Sequence, residues 1–218
     1  MSGVVGGKSK GLTGQWTGPL PKFAKFLAKW VELAKDPDWG RKDAPWWYNE
    51  RASVSLLAGA AWSTDGWAFE EFATRKGRTR SRRKGRGDLW FKVPSDRHYH
   101  MVEAKQIYPS IGTGAGDPLP IILEALKEAC HGASEIDEEG TSRTPRIGLV
   151  FVVPYAPKSQ KVGPMVDDFL KMAKRDRKGD LKNCAMAWVF RHPHQGIPYD
   201  EEEECFYPGV LMMMRKSV

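Results

Sequence analysis

Between Asp88 and Ile107 apolar and polar residues alternate with the two-residue period of a strand, and they do so twice. Leu89, Phe91 and Val93 alternate with Asp88, Trp90 and Lys92, and Pro94-Ser95-Asp96 then breaks the run as such residues do in turns. The second run, Tyr99 to Ile107, sets Met101, Glu103, Lys105 and Ile107 on one face and Val102, Ala104 and Gln106 on the other. Glu103 and Lys105 therefore project from the same side, about 7 Å apart along the strand. Paired as an antiparallel hairpin, the two runs bring Asp88 beside Glu103.

Helical periods flank this hairpin. Phe23, Phe26, Leu27, Trp30, Val31 and Ala34 form the apolar stripe of an amphipathic helix over Pro21–Lys35. A second helix is predicted from Asp43-Ala44-Pro45, where Asp caps and Pro fits the first turn, to about Trp62. Its stripe is Glu50, Val54, Leu57 and Ala61, so a carboxylate shares the face turned to the core. Such a group is costly unless it meets a cation or a donor. Trp67–Thr74 reads as a strand, and Asp117-Pro118 opens a helix with Leu119, Ile122, Leu126 and Ala129 inward. Ile147–Val153 is apolar on both faces, as in a strand covered from both sides. Strand, crossover helix and strand in that order imply a parallel pair. A further helix after Gly163-Pro164 buries Val166, Phe169, Leu170 and Ala173, and Cys184–Phe190 and Val210–Met214 read as two more strands, the methionines filling core.

The charge is uneven. The chain has 218 residues and a formal net charge of +7, which points to an anionic partner, nucleic acid first. Arg75, Lys76, Arg78, Arg80, Arg82, Arg83, Lys84 and Arg86 fall in one stretch without an acid, read as a loop that grips phosphates. Asp200–Glu204 is wholly acidic and reads as a solvated loop. The three cysteines, Cys130, Cys184 and Cys205, have neither metal nor redox spacing and suggest a reduced, cytoplasmic protein. The longest apolar run is far too short to span a bilayer, so no membrane partner is expected. His98, His100, His192 and His194 lack a cysteine or carboxylate at a supporting interval for zinc.

Two carboxylates and one ammonium converging at the end of a small sheet suit a hard divalent cation and the water it activates. Asp88, Glu103 and the carbonyl of Ala104 are the candidate ligands, with Mg²⁺ or Mn²⁺ as the ion. Lys105 lets the acids stay ionised close together. Three acids compete for the remaining place: Glu50, Glu70 and Glu71. Strand alternation sends Glu70 and Glu71 to opposite faces, so at most one of them turns to the metal. Glu50, on its core-facing stripe, has the stronger case.

Helix, three strands, crossover helix, strand, with Glu50 on the helix, Gly-Arg-Gly-Asp ending at Asp88 and Val-Glu-Ala-Lys ending at Lys105, resembles the PD-(D/E)XK nuclease superfamily, in its restriction-endonuclease-like and Holliday-junction-resolvase-like branches. Gly87 stands where the named motif has proline. The resemblance implies an α/β fold with an αβββαβ core and a mixed central sheet flanked by helices, here with an N-terminal helix and a C-terminal α/β extension. It implies a single nuclease-like domain over residues 21–218, with its core at about 45–153; residues 1–20, rich in Gly, Lys and Thr, read as a flexible arm before it. The implied activity is metal-dependent DNA hydrolysis, Asp88, Glu103 and Glu50 holding the ion and Lys105 positioning the attacking water. Cutting both strands calls for two sites, hence a homodimer or a partner subunit. The alternative is a catalytically inactive nucleic-acid-binding subunit of the same fold.

Overall fold

A strand apolar on both faces has to be covered on both sides, and Arg146–Val152 (β7) is buried along nearly its whole length in the middle of a sheet. The computed structural model describes residues 2–4, 12–17, 21–36, 39, 43–77, 83–137, 144–175, 179–181, 183–191, 199–200, 202 and 204–217. In chain order the strands are β1 (Ser2–Val4), β2 (Leu12–Thr17), β3 (Trp67–Lys76), β4 (Arg83–Lys92), β5 (His100–Ile107), β6 (Ile136–Asp137), β7, β8 (Ala156–Pro157), β9 (Ala185–Arg191), β10 (Tyr199–Asp200), β11 (Cys205–Phe206) and β12 (Gly209–Lys216). The helices are α1 (Ala24–Ala34), α2 (Pro45–Tyr48), α3 (Glu50–Trp62), α4 (Leu119–Glu135) and α5 (Val162–Arg175). Among the described residues, nine strands form one mixed sheet in the order β1-β2-β9-β12-β7-β5-β4-β3-β6, and β10, β11 and β8 form a small second one. The protein is therefore α/β. β5 and β7 run parallel, joined across α4, as the strand–helix–strand order requires; the other neighbours in the large sheet are antiparallel.

Strand alternation divides the apolar residues between two layers. Leu89, Phe91, Val102, Ala104, Leu149 and Phe151 pack with α1 and α3, whereas Val150, Val152, Trp188 and Leu211 pack with α4 and α5. Met212 and Met214 enter the first core and Met213 the second, so the methionine run is core filling. On the second side α4 presses onto β7 at Gly148, where an added Cβ would lie 2.5 Å from the Cys130 backbone nitrogen. No described helix is long and apolar enough to cross a membrane.

Four expectations change. The flexible arm expected over residues 1–20 is in part strand: β2 pairs antiparallel with β9 and β1 with β2. β9 is buried at every position, and without β2 it would present an open edge. The helix expected from residue 43 to 62 is two. Asn49 is fully extended (φ −167°, ψ 179°), and its side chain accepts the Ala52 N–H at 3.0 Å, capping α3. The expected basic loop is mostly hairpin, since Arg75 and Lys76 end β3 and Arg83, Lys84 and Arg86 lie on β4, with Arg75 opposite Lys84 and Lys76 opposite Arg83. β9 and β12, read as an extension, belong to the same sheet as the hairpin.

Candidate active site

The antiparallel ladder between β4 and β5 runs Phe91–His100, Trp90–Met101, Leu89–Val102 and then stops. The next pair in register is Asp88 opposite Glu103, as alternation predicts. Here the strands part, and the freed N–H groups of β5 must find other acceptors. The Asp88 carboxylate accepts the Ala104 N–H at 2.6 Å. Glu50, the first residue of α3, accepts a backbone hydrogen bond from Gln106. Residues 104 and 106 turn their main-chain groups to the same side in an extended strand, so the Ala104 carbonyl faces the same gap. The break at Asn49 brings Glu50 there: it starts α3 at the mouth of the gap, while Val54, Leu57 and Ala61 are buried behind it.

The electrostatics of the gap are those of an acid cluster. Burial raises Asp88, Glu103 and Glu50 above the ordinary carboxylate range. The acids also disfavour one another: Asp88 raises Glu50 and Glu103, and Glu103 raises Glu50. Lys105 favours the ionised form of all three. The four residues singled out in the sequence are thus within electrostatic reach of one another.

A fifth member is new. Lys76 Nζ lies 2.7 Å from both oxygens of Glu103, and both side chains are largely buried (18% and 13% exposed). Expected among the phosphate-binding residues, Lys76 instead serves as the internal counterion of Glu103, since β3 continues far enough to carry it over the gap. The Glu103 stem is pressed against Gly132 of α4, where an added Cβ would come within 2.9 Å of its Cγ.

Glu70 and Glu71 do not part as alternation requires. Glu71 has a φ of 51°, in the left-handed region, opposite Asp88 in the register. With that kink both glutamates, together with Glu50, Ser55 and Asp88, line one cavity of about 160 Å³ between α3 and the hairpin. Glu70 accepts the Ser55 hydroxyl at 2.5 Å, and Glu71 pairs with Arg51 at 3.3 Å and Arg86 at 3.5 Å. Both are thus engaged by partners on α3 or β4, and Glu71 raises Asp88 through space.

Of the expected phosphate contacts, Arg75, Arg83, Lys84 and Arg86 are exposed, and Arg78, Arg80 and Arg82 lie outside the described residues. His98 and His100 both turn to Asp96, at 3.2 and 3.4 Å, with His100 buried among Phe23 and Phe91. His192 and His194 lie outside the described residues. Among the described residues no three His, Cys, Asp or Glu side chains are gathered as ligands of one ion. Compared with models of protein families, with curated proteins and with solved structures, the chain matches none.

Proposed function

We propose that the chain is a metal-dependent endodeoxyribonuclease of restriction-endonuclease-like fold, with its site in the β4–β5 gap. The observation that carries the reading is the parting of the two strands at Asp88, which gathers Asp88, Glu103, Glu50 and Lys105 around freed main-chain groups. The donor set is two carboxylates and the Ala104 carbonyl, with Glu50 alongside, and all-oxygen sets of this kind suit Mg²⁺ or Mn²⁺. Acids that raise one another's pKa in a partly buried gap are stabilised by a cation. A bound ion would supply Lewis-acid stabilisation of the phosphoryl oxygens and of the departing alkoxide. The chain's own residues do the rest. The Ala104 N–H fixes the Asp88 carboxylate, the Gln106 N–H fixes Glu50, and Lys105 holds the attacking water in line. Water's proton passes to solvent.

The test is cleavage of linear, branched and single-stranded DNA by the purified protein in Mg²⁺ or Mn²⁺, abolished by EDTA and by Asp88→Ala, Glu103→Ala or Lys105→Ala. Retained cleavage in Asp88→Ala would move the chemistry elsewhere. One observation favours a second reading, a non-catalytic nucleic-acid-binding subunit: Lys76 already neutralises Glu103. A folded wild type and Lys76→Met, both inert on all three substrates in Mn²⁺ yet binding DNA, would select it.

A further inference from the structure

Trp62, Trp67, Phe69 and Tyr99 are between 41% and 56% exposed, and they are neighbours. Phe69 lies 5.4 Å from Trp90, Trp90 stacks on Tyr99 at 4.4 Å with 9° between the planes, and Trp62 closes the far end at 6.1 Å from Trp67. Contiguous exposed apolar surface of this kind marks a binding face. The register explains how it arises. On β4, residues 84, 86, 88, 90 and 92 share one face while Gly87, Leu89 and Phe91 are buried on the other. Across the hairpin, Arg75 pairs with Lys84, Ala73 with Arg86, Phe69 with Trp90 and Trp67 with Lys92. One face of the hairpin therefore runs from cations, through Asp88, to aromatics, and Lys92 Nζ sits 5.0 Å over the Tyr99 ring at the aromatic end. The second helical layer packs over β5 and β7 and leaves this face uncovered.

We propose that this face is a stacking platform for the bases of an unpaired DNA strand, with Lys84, Arg86 and Lys92 on its phosphates and Asp88 midway along it. Exposed aromatic rings beside lysines and arginines accept unpaired bases, because every base has a π-face. A duplex hides those faces and offers only groove edges and phosphates. An apolar protein partner would find its contact interrupted by the cations and the carboxylate in the same row. The inference deepens the endonuclease reading by naming the substrate strand, and rests on it for the role of Asp88 and for DNA over RNA; the stacking of unpaired bases stands by itself.

The test is fluorescence anisotropy in EDTA, with labelled oligo(dT), oligo(rU) and a blunt duplex of equal length. Wild type should prefer oligo(dT) to the duplex. Phe69→Ala and Trp90→Ala should each weaken oligo(dT) binding roughly 5- to 150-fold, the range for losing one stacked base. Trp90→Phe should keep most of the affinity, because it keeps a π-face. Phe69 is 47% exposed, so its removal leaves the core intact even if Trp90→Ala folds poorly. Equal affinity for strand and duplex, preference for oligo(rU), or Phe69→Ala binding as wild type would overturn the proposal. So would a Phe69→Ala protein that only loses self-association in sedimentation, which would assign the face to a second copy. Binding in EDTA and cleavage in Mn²⁺ are both measured on the wild type, so failure of the platform and failure of the chemistry are read separately.

Discussion

Replacing Lys76 by methionine keeps the stem and removes the charge from a buried pair. With side chains only 18% and 13% exposed, Glu103 and Lys76 are poorly screened by water. Removing one partner of such a pair costs roughly 3–5 kcal/mol, because the other charge is left buried. Lys105 still favours the Glu103 carboxylate, so the lower end, about 3 kcal/mol, applies. In a chain of this size each kcal/mol lowers Tm by about 2–4 °C, so Lys76→Met should unfold about 6–12 °C below wild type at neutral pH. The pH dependence has a definite sign. Burial already raises the Glu103 pKa and Lys76 opposes that rise. Without Lys76 the folded-state pKa climbs further above its unfolded value, so the folded state binds the extra proton and stability falls as pH rises through that window. The deficit should therefore shrink as pH is lowered through the folded pKa of Glu103. Mg²⁺ adds a second check. At a hundred times its Kd a ligand contributes about 2.7 kcal/mol, and in wild type it must first displace Lys76, so Mg²⁺ should raise the Tm of the variant more than that of wild type. Thermal unfolding with Mg²⁺ or EDTA at two pH values measures all three. A variant within about 2 °C of wild type, or one with the same response to Mg²⁺, would refute the view of Lys76 as the resident counterion.

Glu50→Gln should lower turnover about a hundredfold or more, with Glu70→Gln and Glu71→Gln costing much less, because only Glu50 holds a β5 amide in the gap; steady-state cleavage of the three variants checks this, and a dead Glu71→Gln beside a normal Glu50→Gln would reverse the assignment. Because Asp88, Glu103 and Glu50 are all raised in the metal-free protein and the proposed chemistry needs them ionised to take up Mg²⁺, the acid limb of the rate profile should rise at a pH above the usual carboxylate range at subsaturating Mg²⁺, as measured by initial rates. Neutralising Lys84, Arg86 and Lys92 together should flatten the slope of log affinity against log salt on oligo(dT) by about 2 units, read from a salt titration. Gly148→Ala should cost roughly 1–3 kcal/mol in a denaturant melt, since α4 must lift off β7 to make room for the Cβ.

Much of the site was legible because strand alternation is a local property. Asp88, Glu103 and Lys105 could be set on their faces from the hairpin alone, and the parallel pair followed from the crossover. What stayed hidden depends on places where the local rule breaks or on distant partners. Alternation assigned Glu70 and Glu71 to opposite faces, and a single left-handed residue at Glu71 undid it. The apolar run Trp46-Trp47-Tyr48 masked Asn49 as the cap that splits the helix, although asparagine is a strong cap residue. Lys76 looked like one more member of a basic run, and its bond to Glu103, 27 residues on, has no sequence signature. The aromatic face was hidden because Trp90 falls on the polar side of β4, and only the register with Phe69 and Trp67 gathers it into a surface. β2 was obscured by Gly14, which interrupts the alternation of Leu12 and Trp16.

The order of strands also sets the order of events in folding. The residues of the candidate site, Glu50 to Lys105, lie on consecutive elements and meet through nearby pairings. The other half of the sheet is joined differently: β12, the last strand in the chain, is inserted between β7 and β9. Until it arrives, β7 has an open edge and β9 has no partner on the side facing β7. During synthesis the site half can therefore assemble while the sheet is still two unjoined pieces. Residues 209–216 act as the keystone, and the wholly apolar flank of β7 must wait unprotected until they are made.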